Sequence, residues 1–346
     1  MADLLIKTEN TGGIGNPSDI HSSRFFWIRE VGFNGRVLLP VFALGLNFFI
    51  HWVLPIHPTY RPKPLPFFKY FLEVLIIYHI ISAIVSLFIT KYRIKQADKA
   101  LFLCVTYLFL GVYNSITIKF NLIPSLYFPA PERIIGVFVT DWFFLLRCLV
   151  YSMRLLLGGF FIGAFLGVIT GTLIGWSKRW NYWVMPFIRV VGPIPSTAWI
   201  PIALVIFLRP TDASLFLIAL GVWFPTTVLT SSGIMNVNKN YFEVSSTLGS
   251  GALRDVLFIA LPAAAPNIFT GLFNGTSACF LTLMAAEMIG CKFGIGWYIN
   301  WQRETLAYSN VYAALVVIAL TFSFLIGLQF KIRNRVLSWQ KGTIRW

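Results

Sequence analysis

Residues 149–176 read LVYSMRLLLGGFFIGAFLGVITGTLIGW, and within these 28 residues the one charge is Arg154. A helix needs about 20 apolar residues to cross the hydrocarbon core of a bilayer. Inside that core a backbone has no water to bond, so such a stretch closes its hydrogen bonds within a helix. Seven further blocks share this character, at 37–56, 68–90, 99–119, 182–208, 213–235, 262–290 and 311–330. Eight such blocks predict an all-α polytopic transmembrane bundle.

The composition agrees. Hydrophobic residues make up 57% of the 346 and charged residues 12%, where soluble domains carry roughly a quarter charged. Mean hydropathy is +0.73. The 33 phenylalanines suffice to coat several helices against lipid. The net charge of +15 sits in short loops beside apolar blocks, which points to topology and anionic headgroups rather than to nucleic acid. Cys104, Cys148, Cys279 and Cys291 have neither CxxC nor Cys/His spacing and are expected as free apolar thiols. The histidines His21, His51, His57 and His79 make no metal spacing, and no signal-peptide pattern opens the chain.

Lysine and arginine set the expected orientation. With the N-terminus inside, the inner segments hold 17 of them and the outer segments nine. An even number of spans then returns the C-terminus to the same side. The organisation expected is a cytoplasmic segment at 1–36, a helix pair at 37–98, and a core at 99–346. On the outer side, Pro124 to Pro131 (PSLYFPAP) cannot continue a helix, and Glu132 to Trp142 is expected as an amphipathic helix along the interface.

The segment 236–262, NVNKNYFEVSSTLGSGALRDVLFIALP, is too polar to span and too long for a simple turn. Asn240 with Glu243 three residues on resembles a capping box, Leu248-Gly249 is a helix stop, and Ser250 is placed to cap a second helix running to Leu261. The spacing predicts a short helix, a glycine hinge and another helix, on the inner side. A short exposed helix there suits the groove of a partner.

The same segment resembles the cytoplasmic signature of binding-protein-dependent ABC importer permeases. Glu243, Gly249, Ile259, Leu261 and Pro262 stand at the family's spacing, while Val244 and Ser245 replace its two alanines. The resemblance covers about 125–346 and is to the nitrate/sulfonate/taurine/bicarbonate branch. PAPERIIGVF at 129–138, GPIPSTAWIPIALVIF at 192–207 with Pro193, Pro195 and Pro201, and AAEMIGCKFGIGWYI at 285–299 with Glu287, Gly290, Gly294 and Gly296 carry it. The family has about six spans, so the first two here have no counterpart. The resemblance implies a permease subunit in the bacterial inner membrane, often a homodimer, which moves a small solute inward. It implies a coupling helix at about 240–249, separate cytoplasmic subunits that bind ATP and Mg, and an extracytoplasmic substrate-binding protein. No cofactor is expected in this chain, which carries no P-loop.

Within the spans, Gly159, Gly163, Gly167, Gly171 and Gly175 recur every four residues, a stripe that lets another backbone approach closely. Pro186, Pro193, Pro195 and Pro201 interrupt the fifth block. Broken helix at membrane depth survives where protein or a wet cavity satisfies the freed carbonyls, so 192–201 is read as a gate, with a kinked packing helix as the alternative. Thr226, Thr227, Thr230, Ser231 and Ser232 give the sixth block a polar face, for a solute or for gluing helices. Arg154 and Glu287 lie at similar depth; they either pair near the outer mouth or snorkel separately.

Two rivals to an importer permease are an ATP-independent transporter or channel and a membrane-embedded enzyme. The first is signalled by inverted repeats and the second by a catalytic His, Asp or Cys cluster at an interface. Neither feature is seen in the sequence, and neither rival explains the 243–262 pattern.

Overall fold

The computed structural model describes residues 33–58 and 66–339. The expectations for residues 1–32, including Lys7, His21, Arg24 and Arg29, lie outside the described residues. So do those for Arg61, Lys63, Lys341 and Arg345.

The described chain is helical throughout. It runs through α1 (Phe33–Val53), α2 (Phe67–Phe88), α3 (Thr90–Asn114), α4 (Pro131–Thr140), α5 (Trp142–Trp176) and α6 (Lys178–Val191). It continues with α7 (Ile200–Ile206), α8 (Pro210–Met235), α9 (Lys239–Thr247), α10 (Ala252–Gly290), α11 (Ile295–Glu304) and α12 (Tyr308–Val336). Among the described residues, seven helices are long and apolar enough to cross a membrane. The block expected as a fifth span at 182–208 is a bent pair of helices, 178–191 and 196–206, with an angle of 86° between them; counted as one span, it brings the total to eight. The physical reason is local. Pro193 and Pro195 lack amide donors and hold the backbone out of the helix between α6 and the 3-10 turn Ser196–Trp199.

By contacts the chain divides into Met1–Ile135 and Gly136–Trp346. In the first unit α3 packs on α1 and α2. Leu44, Phe68 and Leu72 are its apolar centre. A polar seam runs beside it. Asn47 Nδ2 donates to the Tyr107 carbonyl at 2.7 Å, and His79 Nε2 lies 2.8 Å from the Tyr107 hydroxyl. Lys119 Nζ donates to the His51 carbonyl at 2.8 Å and also to Leu54, closing carbonyls that the end of α1 leaves open.

The second unit is built around α8, which lies between α5 and α10. The glycine stripe of α5 is what brings α8 in. A Cβ on Gly159 would sit 2.5 Å from Ile218 Cγ2, on Gly163 2.3 Å from the Ala219 carbonyl oxygen, and on Gly171 2.6 Å from the Thr227 carbonyl oxygen. Gly271 and Gly275 of α10 meet the opposite side of α8 near Thr226 and Val222. In lipid, where tails are as apolar as side chains, such close contact and hydrogen bonding hold helices together.

Candidate functional site

Two regions of the second unit concentrate polar and irregular structure. The first is the break after α6. Gly192 leaves room for the ring of Phe224, since a Cβ there would overlap it at 1.8 Å. Pro195 precedes the 3-10 turn Ser196–Trp199, and Pro201 enters the first turn of α7, where a missing N–H costs no helical bond. The break opens a cavity of about 330 Å³ bounded by Pro195, Ser196, Trp199, Gly221, Asn274 and Thr282, among others. Its floor is tied by the Ser196 and Thr282 hydroxyls, 2.5 Å apart. Pro195 lines the cavity, whereas Pro193 sits exposed in the break and Pro201 beyond it.

Thr226 and Thr230 do not reach this cavity. They are fully buried and turned toward α5, where their Cβ atoms lie 2.7 and 2.6 Å from where Cβ atoms of Gly167 and Gly171 would be. The four-residue spacing of the two threonines matches that of the two glycines, so side chain fills notch. Of the two readings left open, a solute face or the gluing of helices, this placement fits the second. Thr227 belongs to the same seam, its hydroxyl 2.8 Å from that of Thr170.

Arg154 and Glu287 do not pair. Ser152 and Arg154 point to opposite sides of α5, and Ser152 takes the inner one. Its hydroxyl donates to Glu287 Oε1 at 2.7 Å, and the Gly296 amide donates to Oε2 at 2.8 Å. The Ile295 amide in turn donates to Ser152 Oγ at 2.8 Å. Glu287 is thus a fully buried anchor joining α5, α10 and the start of α11, where free helix N–H groups favour an acceptor. Arg154 is exposed and lines a separate hollow with Arg147 and Phe293, the Arg147 guanidinium lying 5.5 Å from the centre of the Phe293 ring. Trp297 stacks on Trp301 at 5.4 Å beside Phe144, the aromatic clustering found where membrane meets water. Tyr298 beneath them is buried, and burial holds its phenol neutral far above the usual range.

The second region is the segment between α8 and α10. The cap of α9 is Asn238, whose side chain accepts from the Asn240 amide at 3.0 Å; Asn240 itself lies in the first turn, which corrects the capping-box reading. The helix ends in a Schellman turn. Gly249 has φ +74°, the Ser250 amide donates to the Ser245 carbonyl at 3.1 Å, and the Gly249 amide to that of Ser246 at 3.0 Å. Gly251, not Ser250, precedes the next helix. Ser245 Oγ donates to Asp255 Oδ1 at 2.6 Å, locking α9 to α10 across the turn. Phe242 fixes the other end against Trp176, ring centres 5.5 Å apart. The opposite face carries Tyr241, Val244 and Leu248, exposed by 62%, 60% and 82%, with Glu243 exposed beside them. Ile259 lies in a π-helical turn, Val256–Ala260, directly before Leu261 and Pro262. Pro262 has no amide to donate to the Phe258 carbonyl, which favours the wider turn.

Residues 159–337 match the family of binding-protein-dependent transport system inner membrane components. The chain belongs to this family. Among similar proteins, a bicarbonate transport system permease of Synechococcus elongatus is 30% identical over 57% of this chain and 67% of its own length. A nitrate import permease of Leptolyngbya laminosa is 32% identical over 51% of this chain and 62% of its own. A taurine transport system permease of Escherichia coli is 27% identical over 65% of this chain and 84% of its own.

This permease is therefore the polytopic membrane subunit of an ABC importer for a small solute, and it works with a separate ATPase and a binding protein. The family match leaves out α1 to α4. The proline break and the hydroxyl face were legible in the sequence as polar interruptions of apolar blocks. The Ser152–Glu287–Gly296 anchor was missed; Gly294 and Gly296 following a lone intramembrane glutamate were the available signal.

Proposed function

We propose that this permease, paired with a second copy of itself, forms the pathway by which a small anion or sulfonate-bearing nutrient enters a bacterial cell, and that α9 is where the cytoplasmic ATPase grips it. The solute class rests on the similarity to bicarbonate, nitrate and taurine permeases. The observation that carries the coupling role is the ridge Tyr241–Val244–Leu248, exposed on a short helix whose other side is locked by Phe242 and Ser245. A helix pinned at both ends moves as a body, so a partner that pushes the ridge moves α8 and α10 with it.

In this reading Glu243 and Gly249 serve the ATPase contact directly. Ile259, Leu261 and Pro262 shape the turn that carries the movement into α10. The break at 192–201 is the gate, and the glycine stripe of α5 keeps α5 and α8 together as the gate moves. Both termini and α9 are cytoplasmic, in keeping with the 17 against nine split of basic residues, and the binding protein delivers solute at the opposite face. The exposed phenylalanines and leucines of the spans meet lipid.

The test is purification of the tagged full-length chain in mild detergent, with its companions identified by mass spectrometry. An ATP-binding cassette ATPase is expected with the wild type. Leu248→Asp, Glu243→Arg and Gly249→Pro are expected to lose it by about tenfold or more, the size of one hot-spot contact, while remaining monodisperse. Proline cannot adopt φ +74° and removes the amide bond to Ser246. A monodisperse wild type that brings down no such ATPase refutes the coupling role.

A further inference from the structure

The family match leaves the first unit without an assigned role, and that unit holds a cleft of its own. Its apolar centre includes Phe68 and Leu72, in the first turns of α2. At the last turns of α2 the packing against α1 opens into a cavity of about 290 Å³. Leu38 of α1 and Ile80, Ile84 and Leu87 of α2 wall it, and all four are exposed. From Ile80 to Leu87 the wall is about 10 Å long at 1.5 Å per residue, and it follows a helix that crosses the membrane. A long apolar slot open to lipid suits an acyl chain, which is as apolar as the leucines around it.

Arg93 of α3 lines the same cavity, at the end where α2 passes into α3. Its side chain is half-buried. Among the described residues, the other polar group in the lining is Ser86, whose hydroxyl already donates to the Ala83 carbonyl at 2.6 Å. A hydrocarbon slot therefore has a guanidinium at its mouth. A guanidinium carries five N–H donors in a planar fork matched to phosphate, enough for a phosphate beside a protein contact. In sequence, 33–38 and 86–99 add Arg36, Lys91, Lys95 and Lys99 at this end, against one acid, Asp98. That excess favours an anionic head group over a zwitterionic one, whose ammonium it repels.

We propose that this cleft binds an anionic glycerophospholipid of the surrounding membrane, with one acyl chain lying between α1 and α2 and the phosphate on Arg93. The two halves of the site select together. A free phosphate meets apolar walls below the guanidinium, and a zwitterionic lipid fills the slot but meets the excess of positive charge. The bound chain occupies space that protein leaves open between α1 and α2, so the lipid serves as packing for this end of the unit. The site lies outside the residues matched to the family and goes beyond the importer reading.

The test is native mass spectrometry of the full-length chain in a neutral detergent, titrated with dioleoyl phosphatidylglycerol or dioleoyl phosphatidylcholine. The wild type is expected to bind the first about tenfold more tightly, the scale of one hydrogen bond to a charged group. Arg93→Gln is expected to lose that preference. Ile84 is exposed in the cleft, so Ile84→Trp fills the slot and leaves every charge in place. It is expected to weaken binding of both lipids by about tenfold or more. Lys331→Gln removes a cation from α12 and is expected to bind as the wild type does. A wild type without the preference overturns the site. Equal losses in Arg93→Gln and Lys331→Gln mean diffuse surface charge and overturn it too. So does unweakened binding by Ile84→Trp, which is the deciding variant if Arg93→Gln does not elute as a single species. Displacement of phosphatidylglycerol by inorganic phosphate makes the ligand a free anion and overturns the lipid assignment. The assay uses neither ATPase nor solute, so each of these failures leaves the importer reading standing.

Discussion

Gly163→Leu is expected to abolish the folded permease, with the purified chain aggregating where the wild type elutes as a single species. A Cβ on Gly163 alone would lie 2.3 Å from the Ala219 carbonyl oxygen and 2.8 Å from Val222 Cβ. The first neighbour is backbone, so no rotamer change relieves it; α5 and α8 must separate. Among the described residues those two helices share the most extensive contact, and α8 in turn carries α10. Overpacking in a tight core costs about 1–3 kcal/mol for a few methylenes, and leucine adds four carbons into backbone. Gly158 supplies the control on the same helix. Its Cβ would meet only the tip of Leu215 at 3.1 Å, a flexible side chain that can yield. Gly158→Ala is expected to stay within about 0.5 kcal/mol of wild type, whereas Gly163→Ala is expected to lose about 1–3 kcal/mol, both read by unfolding in mixed micelles. Equal behaviour of the two alanine variants would mean that the stripe is not a helix contact.

The second large effect is at Glu287. Glu287→Ala removes the acceptor for the Ser152 hydroxyl and the Gly296 amide and leaves a hole where α5, α10 and α11 meet. Each buried donor left without a partner costs about 1–3 kcal/mol, so a loss of about 2–4 kcal/mol is expected. Glu287→Gln keeps an acceptor and is expected to lose less than half of that. Because Ser152 and Glu287 share one network, Ser152→Ala added to Glu287→Ala is expected to cost little more than Glu287→Ala alone. Additive losses in that cycle, measured by the same unfolding assay, would show that the two groups act separately. A charge reversal, Arg154→Glu, by contrast, is expected not to touch this anchor, since Arg154 points away from it. Gly294 belongs to the same design: it has φ +130°, and a Cβ there would fall 2.4 Å from the Glu287 carboxyl carbon.

What the sequence determined by itself was set by local chemistry. Long apolar runs can exist in a bilayer only as helices, so the number, type and approximate place of the spans followed from composition. The hinge at Gly249 followed from what glycine permits, and the interruption at 192–201 from what proline forbids. The family resemblance followed from spacing within 243–262 and from three further segments, 129–138, 192–207 and 285–299. What remained open was everything that depends on which way a side chain turns once helices meet. Arg154 and Glu287 share a depth but not a face: 200° of helical rotation separates the core-facing Ser152 from Arg154, and only the packing of α5 on α10 decided which side is inward. Thr226 and Thr230 have the polarity of a pathway, yet the notches of Gly167 and Gly171 claim them. The cap of α9 moved by two residues, from Asn240 to Asn238, because side-chain capping depends on the backbone angle at entry. The span at 99–119 packs on α1 and α2, a contact that order along the chain does not specify. Hydrophobic length is a property of one segment, readable in isolation. Facing is a relation between two segments, and it is settled only when both are in place.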